Sequence, residues 1–344
     1  MSCARVGRSV SIFALIGASF ASAQIPEWRT KYDAGMTALQ EGRYADAHAM
    51  LQAAYDQAQT LKAEGPVRAL AAFGLGSVYL EEARFQEAEA LFNEARTILE
   101  PAGGPTNQLG MVWNGLGEVF LDRSRFDEAE KAFRRAMSFL ERDTELQPCV
   151  FLSRRHLGEL RFMRGDFAGA ADVLRHLVAD ERKAASGERV LASTLDVLGR
   201  AYLMQNALVD AEPVLKEAVE LQRERGEQRP GFADSMVQLA ALYRLQGRLE
   251  RAQPLLRKAL RIYEAAGDPR AAFVYDELGI EAAVEGKYLT AREYLEKARD
   301  LAQRASMPDG VIARIEGELA RVQPAVAAKQ SEAEEDRGQS FRKR

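Results

Sequence analysis

The chain has 344 residues, a formal net charge of −4 and 28% charged residues, a balance that excludes a nucleic-acid binder, which would carry a basic face or a high pI. Its Ala-, Leu-, Glu- and Arg-rich composition, without long β-branched runs, favours helix over sheet. A compact chain of this length usually divides into domains, whereas a repeat array has no such need, because each unit buries its apolar face only against its neighbours.

Residues 1–23 read as a signal peptide. Arg5 and Arg8 form a positive n-region, Val10 to Phe20 a short apolar h-region, and Ala21-Ser22-Ala23 the small-x-small site that leaves Gln24 as the new N-terminus. The apolar run is well short of the ~20 residues that a membrane-spanning helix needs. The mature chain is therefore expected to be exported, periplasmic or secreted, from a bacterial source, with no stable membrane insertion after cleavage. Cys3 leaves with the leader, so Cys149 has no partner for an intramolecular disulfide and is expected as a buried thiol packed like a small hydrophobe.

Residues 24–307 are a repeat. With Ala47, Ala88, Ala129, Ala170, Ala211, Ala252 and Ala291 as a ruler, the period is 41 residues five times and then 39. Twelve residues before each ruler stands a small residue: Gly35, Gly76, Gly117, Gly158, Gly199, Ala240 and Gly279. Five before it stands a turn or small residue: Gly42, Ala83, Ser124, Gly165, Asn206, Gly247 and Gly286. Four after it comes a bulky apolar one: Leu51, Phe92, Phe133, Leu174, Leu215, Leu256 and Leu295. In each copy the first helix carries a small residue, Gly in all but the sixth, where a second helix approaches closely, a turn residue ends it, and the second helix presents Ala and the bulky residue on one face. Neither helix is apolar enough to be buried alone, so the hairpins must stack.

These columns resemble the tetratricopeptide repeat, whose pattern W-x2-L-G-x2-Y, A-x3-F, A is matched best by Trp113-x-x-Leu116-Gly117-x-x-Phe120 with Ala129, Phe133 and Ala136. The period, against the usual 34, is read as longer loops between hairpins: Lys62 to Pro66, Pro101 to Pro105, Ala185 to Glu188, Gly226 to Pro230 and Gly267 to Pro269. Together with Ala211-Glu-Pro213 and Ala252-Gln-Pro254, these look like the kinesin-light-chain subtype. Both prolines are placed in the opening turn of a second helix, where backbone N–H groups lack helical partners. The resemblance implies an all-α fold, a right-handed α-solenoid of seven helix-turn-helix repeats. Residues 308–323 follow as a capping helix, with Val311, Ile312, Ile315 and Leu319 on one side, and residues 324–344 as a disordered charged tail.

In such solenoids one face of each first helix lines the concave surface. Carried over by register, that face comprises Tyr32, Met36, Phe73, Met111, Asn114, Glu118, Arg155, Glu159, Phe162, Asp196, Arg200, Asp234, Arg244, Phe273 and Asp276. The subtype's paired asparagines are represented only by Asn114, with Arg155, Asp196 and Val237 in equivalent registers. The apolar members suit a hydrophobic partner segment or simply complete the core. The charged middle suits registered polar recognition, or mutual neutralisation between neighbouring repeats.

Chemistry is sparse. The three histidines, His48, His156 and His176, make no metal-binding spacing, and Gly-rich segments lack the strand-to-helix setting of a phosphate cradle. No catalytic residues, cofactor or metal are expected, and the chain is not expected to be an enzyme. The expectation is an exported interaction scaffold holding a protein or peptide in its groove. The alternative is a structural subunit of an envelope assembly that works by self-association or edge contacts.

Overall fold

A computed structural model describes residues 27–41, 43–60, 65–101, 106–141, 146–184, 188–305, 307 and 309–342. The leader at 1–23 and the turn residue Gly42 lie outside the described residues. Among those described, every regular element is a helix. The repeats supply first and second helices in turn: α1 (Glu27–Gln40) and α2 (Tyr44–Thr60), α3 (Gly65–Glu81) and α4 (Phe85–Leu99), α5 (Thr106–Asp122) and α6 (Phe126–Leu140), α7 (Gln147–Met163) and α8 (Phe167–Lys183). The fifth, sixth and seventh give α9 (Glu188–Met204) and α10 (Leu208–Arg225), α11 (Pro230–Leu245) and α12 (Leu249–Ala265), α13 (Ala271–Val284) and α14 (Tyr288–Arg304), and α15 (Asp309–Arg342) closes the chain. The fold class is the expected one, an all-α helical-repeat solenoid. It divides into two compact units between Gln205 and Asn206, one ending with α9 and the other beginning with α10.

Within a hairpin the glycine column does what its position demands. A Cβ added at Gly117 would lie 2.5 Å from the Phe133 ring, one at Gly158 2.7 Å from Leu174, and one at Gly279 2.6 Å from Leu295. In these hairpins the bulky residue of the second helix thus fills a slot that exists only because the first helix lacks a side chain there. The next hairpin closes the slot from its other side, since a Cβ at Gly115 would meet the same Phe92 ring that Gly76 admits, at 2.8 Å. Phe92, Phe133, Leu51 and Leu174 are completely buried as a result.

The turn column adopts the left-handed backbone that the pattern required, with φ of 61° at Ala83, 58° at Ser124 and 57° at Asn206, and 73–83° at Gly165, Gly247 and Gly286. Ala83 N donates to Leu80 O and Arg84 N to Tyr79 O, the paired bonds of a Schellman cap, repeated at Ser124 and Arg125, at Gly165 and Asp166, and at Gly247 and Arg248. The arginine after the turn lies over the ring five residues earlier: Arg84 over Tyr79 at 4.0 Å, Arg125 over Phe120 at 4.4 Å and Arg248 over Tyr243 at 4.8 Å.

Successive hairpins are stitched along this turn edge. The residue just after the Ala ruler meets the residue just before the next hairpin's turn: His48 Nδ1 lies 2.7 Å from Glu82 Oε1, Arg123 donates to Glu89 at 2.6 Å and Arg164 to Glu130 at 2.7 Å. Gln246 donates to Glu212 at 3.2 Å and Gln253 to Glu285 at 2.7 Å. Between the fourth and fifth repeats, where Ala171 takes the first place, Gln205 donates instead to the Phe167 carbonyl at 3.0 Å.

Three sequence expectations need correction. The long period goes largely into helix, not loop: α3, α5, α7 and α9 each have 17 residues, and Pro66 and Pro230 open α3 and α11. Pro213 and Pro254 lie one turn inside α10 and α12. The carbonyls they leave without a helical donor belong to Val209 and Glu250, both exposed, so water satisfies them. The last helix continues through Pro324 to Arg342 where disorder was expected. Val322 and Val326, four residues apart, are buried at 5% and 0%, and the Ala, Glu, Gln and Lys beyond are strong helix formers. Ile315 of this helix is buried in one cluster with Leu295 and Ala302. Cys149 is a buried thiol outside any disulfide.

The α8–α9 junction holds a buried acid. Glu181 is fully buried, with Thr194 Oγ1 2.8 Å from its Oε1. Burial pushes its carboxyl up to about 7, and the Thr194 hydrogen bond and the Arg155 and Arg154 charges offset this only in part. The folded protein keeps this proton to higher pH than an unfolded chain, in which Glu titrates near ~4.3. The side chain's stabilisation is therefore whole below that pH and is lost as pH rises through about 7. Glu181→Gln, which cannot ionise, is expected to melt progressively higher than wild type between about pH 5 and about pH 8. A melting difference that does not change with pH refutes the assignment. For the slot, Gly117→Ala is expected to lower stability by about 1–3 kcal/mol in urea unfolding, since the Phe133 ring must leave its rotamer or the backbones must part.

Candidate functional site

The predicted face divides by chemistry. Tyr32, Met36, Phe73 and Met111 are 3–6% exposed and belong to the cores of the first three hairpins. Of the two readings left open for them, completing the core is the one their burial fits. Asn114 is also committed within the protein: its Oδ1 accepts from Ser153 Oγ at 2.7 Å and its Nδ2 donates to the Cys149 carbonyl at 3.4 Å, tying α5 to α7.

The neighbouring residues of α5, α7 and α9 form a polar cluster. Its centre is His156, 4% exposed, whose ring stacks on Phe133 with centroids 4.9 Å apart and planes at 9°. Glu118 Oε1 lies 3.5 Å from its Nε2 and Glu159 Oε2 3.4 Å from its Nδ1, with an Arg155 nitrogen 3.4 Å from Nε2. Burial acts to raise the Glu159 carboxyl, but the His156 hydrogen bond and the charges of Arg155, His156 and Arg200 outweigh it and hold it at about 2. Glu159 therefore stays ionised at any physiological pH. Arg200 stacks over Phe162 at 4.6 Å, and Phe162 packs edge-on against Phe167. Asp196 is buried on the same helix as Arg200. Arg155 Nε and Arg200 Nη1 are buried donors that find no acceptor among the described residues.

The remaining predicted residues form separate contacts in the C-terminal unit. Arg270, from the loop before α13, grips Asp234 through two bonds of 2.8 and 2.6 Å, and Tyr263 donates to the same carboxylate at 2.5 Å. Arg244 pairs with Glu277 at 2.9 Å. Asp276, completely buried, pairs with Arg314 of α15 at 2.6 Å, and burial raises its carboxyl to about 6 despite that partner. Phe273 is half-buried on α13. Sequence reasoning missed His156, Arg270 and Arg314. The first had a signal: His156 stands in the register that Gly115 and Gly74 hold one and two periods earlier.

The cluster has no nucleophile aligned with a base, and among the described residues no group of three or more His, Cys, Asp or Glu is placed to hold a metal ion. No helix among them is long and apolar enough to cross a membrane. What it offers is fixed negative charge on Glu159, spare guanidinium donors, and the Phe162 ring.

Comparison with known proteins bears on the architecture. Residues 151–337, more than half of the chain, match the family model of the MalT-like TPR region, and residues 29–100 and 67–142 match that of the tetratricopeptide repeat. No curated protein matches in sequence. Among solved structures, NprR in complex with its cognate peptide NprX overlays with a TM-score of 0.60 at 13% identity, covering 90% of this chain and 89% of that one. The Rap conjugation gene regulator of plasmid pLS20, in complex with the Phr* peptide, gives 0.60 at 14% identity, covering 94% and 82%. A tetratricopeptide repeat protein from Parabacteroides merdae gives 0.53 at 12%, covering 86% and 99%. With its repeat registers, its glycine slots and these family matches, the chain belongs to the tetratricopeptide-repeat family.

Proposed function

We propose that the protein is an exported, non-enzymatic interaction scaffold that binds a protein or peptide on the α5–α7–α9 face of its N-terminal unit. The observation that carries this reading is the pair of buried, unsatisfied donors, Arg155 Nε and Arg200 Nη1, beside a permanently ionised Glu159. An unpaired buried donor is costly, and a carboxylate or backbone carbonyl from a partner removes that cost. The peptide complexes of NprR and the pLS20 Rap regulator support the reading at the level of fold. Export rests on the leader read from the sequence.

The partner test uses captures from the native cell envelope with wild-type protein and with an Arg200→Ala/Phe162→Ala variant, each first shown by dichroism to be folded. The variant is expected to lose the main captured partner; identical partner sets overturn the placement of the site. For export, N-terminal sequencing of the protein recovered from the native host is expected to begin at Gln24. A chain beginning at Met1 in the cytoplasmic fraction overturns it.

A further inference from the structure

The C-terminal unit carries an apolar row that its core does not use. Val209 at the start of α10, Leu245 at the end of α11, Val284 at the end of α13 and Leu289 at the start of α14 are 87%, 47%, 71% and 43% exposed. They share registers on the turn edge: Leu245 and Val284 come seven residues before their Ala rulers, Val209 and Leu289 two before theirs. In the first three repeats the former register holds Gln40, Glu81 and Asp122, and the latter Ala45, Gln86 and Asp127. The turns at Ala83 and Ser124 share their left-handed backbone with those at Gly247 and Gly286, so the turn geometry does not call for the larger apolar side chains. Interhelical bonds place two pairs of helix ends side by side on this edge. The Gln246–Glu212 bond sets the end of α11 beside the opening of α10, and the Gln253–Glu285 bond sets the end of α13 beside the opening of α12. Monomeric proteins rarely leave contiguous apolar patches of more than a few hundred Å².

Charged side chains flank the row. Asp210 is exposed beside Val209 at one end, and Lys287, its side chain 64% exposed, stands beside Leu289 at the other. Glu250 and Arg251, adjacent and exposed, occupy the middle on α12. A row with an acid at one end, a base at the other and both at its centre is complementary to itself after a half-turn about an axis across its middle. That is the requirement of an isologous interface. The bond between Lys287 and Glu285 is a surface pair and gives way readily to a second carboxylate.

We infer that this row is a homodimer interface, in which a second copy of the chain lays its own row antiparallel, Val209 against the partner's Leu289 and Leu245 against the partner's Val284. Asp210 then faces the partner's Lys287. The row is remote in register from the α5–α7–α9 face, so loss of partner capture leaves this inference untouched, and the reverse also holds.

Sedimentation velocity of the full chain over a wide concentration range tests it. Wild type is expected to dimerise, and Val209→Glu/Val284→Glu to raise the dissociation constant at least about tenfold with unchanged dichroism, since both sites are exposed. Asp210→Lys is expected to weaken the dimer, and Asp210→Lys/Lys287→Asp to restore it. A monomer at every concentration overturns the inference, as does a dimer that the double glutamate variant leaves intact or a charge-swapped pair no better than Asp210→Lys alone. Binding of the monomer to anionic vesicles in place of self-association likewise overturns it.

Discussion

The Phe92 ring lies in a gap between two glycines, Gly76 of its own hairpin and Gly115 of the next, and each gap exists only because a Cβ is missing. That single arrangement sets the distance between the helices of a hairpin and the distance between hairpins together. Where the chain departs from it, the replacement is itself informative. At Phe133 the second glycine gives way to His156, whose flat ring stacks on the phenyl face and brings a polar group into a position that elsewhere must stay empty. The polar cluster of the N-terminal unit is therefore a local modification of the packing rule. Glu118, Glu159 and Arg155 gather around an imidazole that the slot already holds.

The turn edge follows a second, electrostatic regularity. Left-handed turn residues end the first helices from α3 onward, at three of these turns the following arginine covers an aromatic ring, and at five seams the side chain after the Ala ruler reaches the next hairpin. Surface pairs of this kind add little net stability each. Their value is geometric, since the glycine slots bring hairpins together and the edge contacts fix how far one slides along the next. In the C-terminal unit the same edge carries apolar side chains in place of polar ones, and its chemistry turns outward.

Periodicity made the architecture legible, because slot and turn are short-range requirements stamped on each repeat: Gly117 and Phe133 announce each other from sixteen residues apart. Helix lengths were less legible, since Pro66 and Pro230 were read as loop residues although a proline is welcome in a helix's first turn. The same rule, stretched too far, misplaced Pro213. The helix beyond Pro324 depends on Val326 finding cover, which no local pattern states. The face of the first helices was readable as a register but not as a surface. Register tells which side of a helix a residue occupies, and not whether the neighbouring hairpin leaves it open, so Tyr32 and Phe73 are core while Arg200 keeps a free donor. Arg270 and Arg314 escaped because both partner Asp234 and Asp276 from outside the repeat columns.

The edge contacts also give the hairpins an order. The acid stands on the earlier hairpin at Glu89–Arg123 and Glu130–Arg164, but on the later one at His48–Glu82 and Gln253–Glu285. A gene that lost its third hairpin would still set Glu89 against Arg164, whereas one that lost its second would set His48 against Arg123. Hairpins of equal size are thus not interchangeable at their seams, because the polarity of each seam sets which neighbours pair across it.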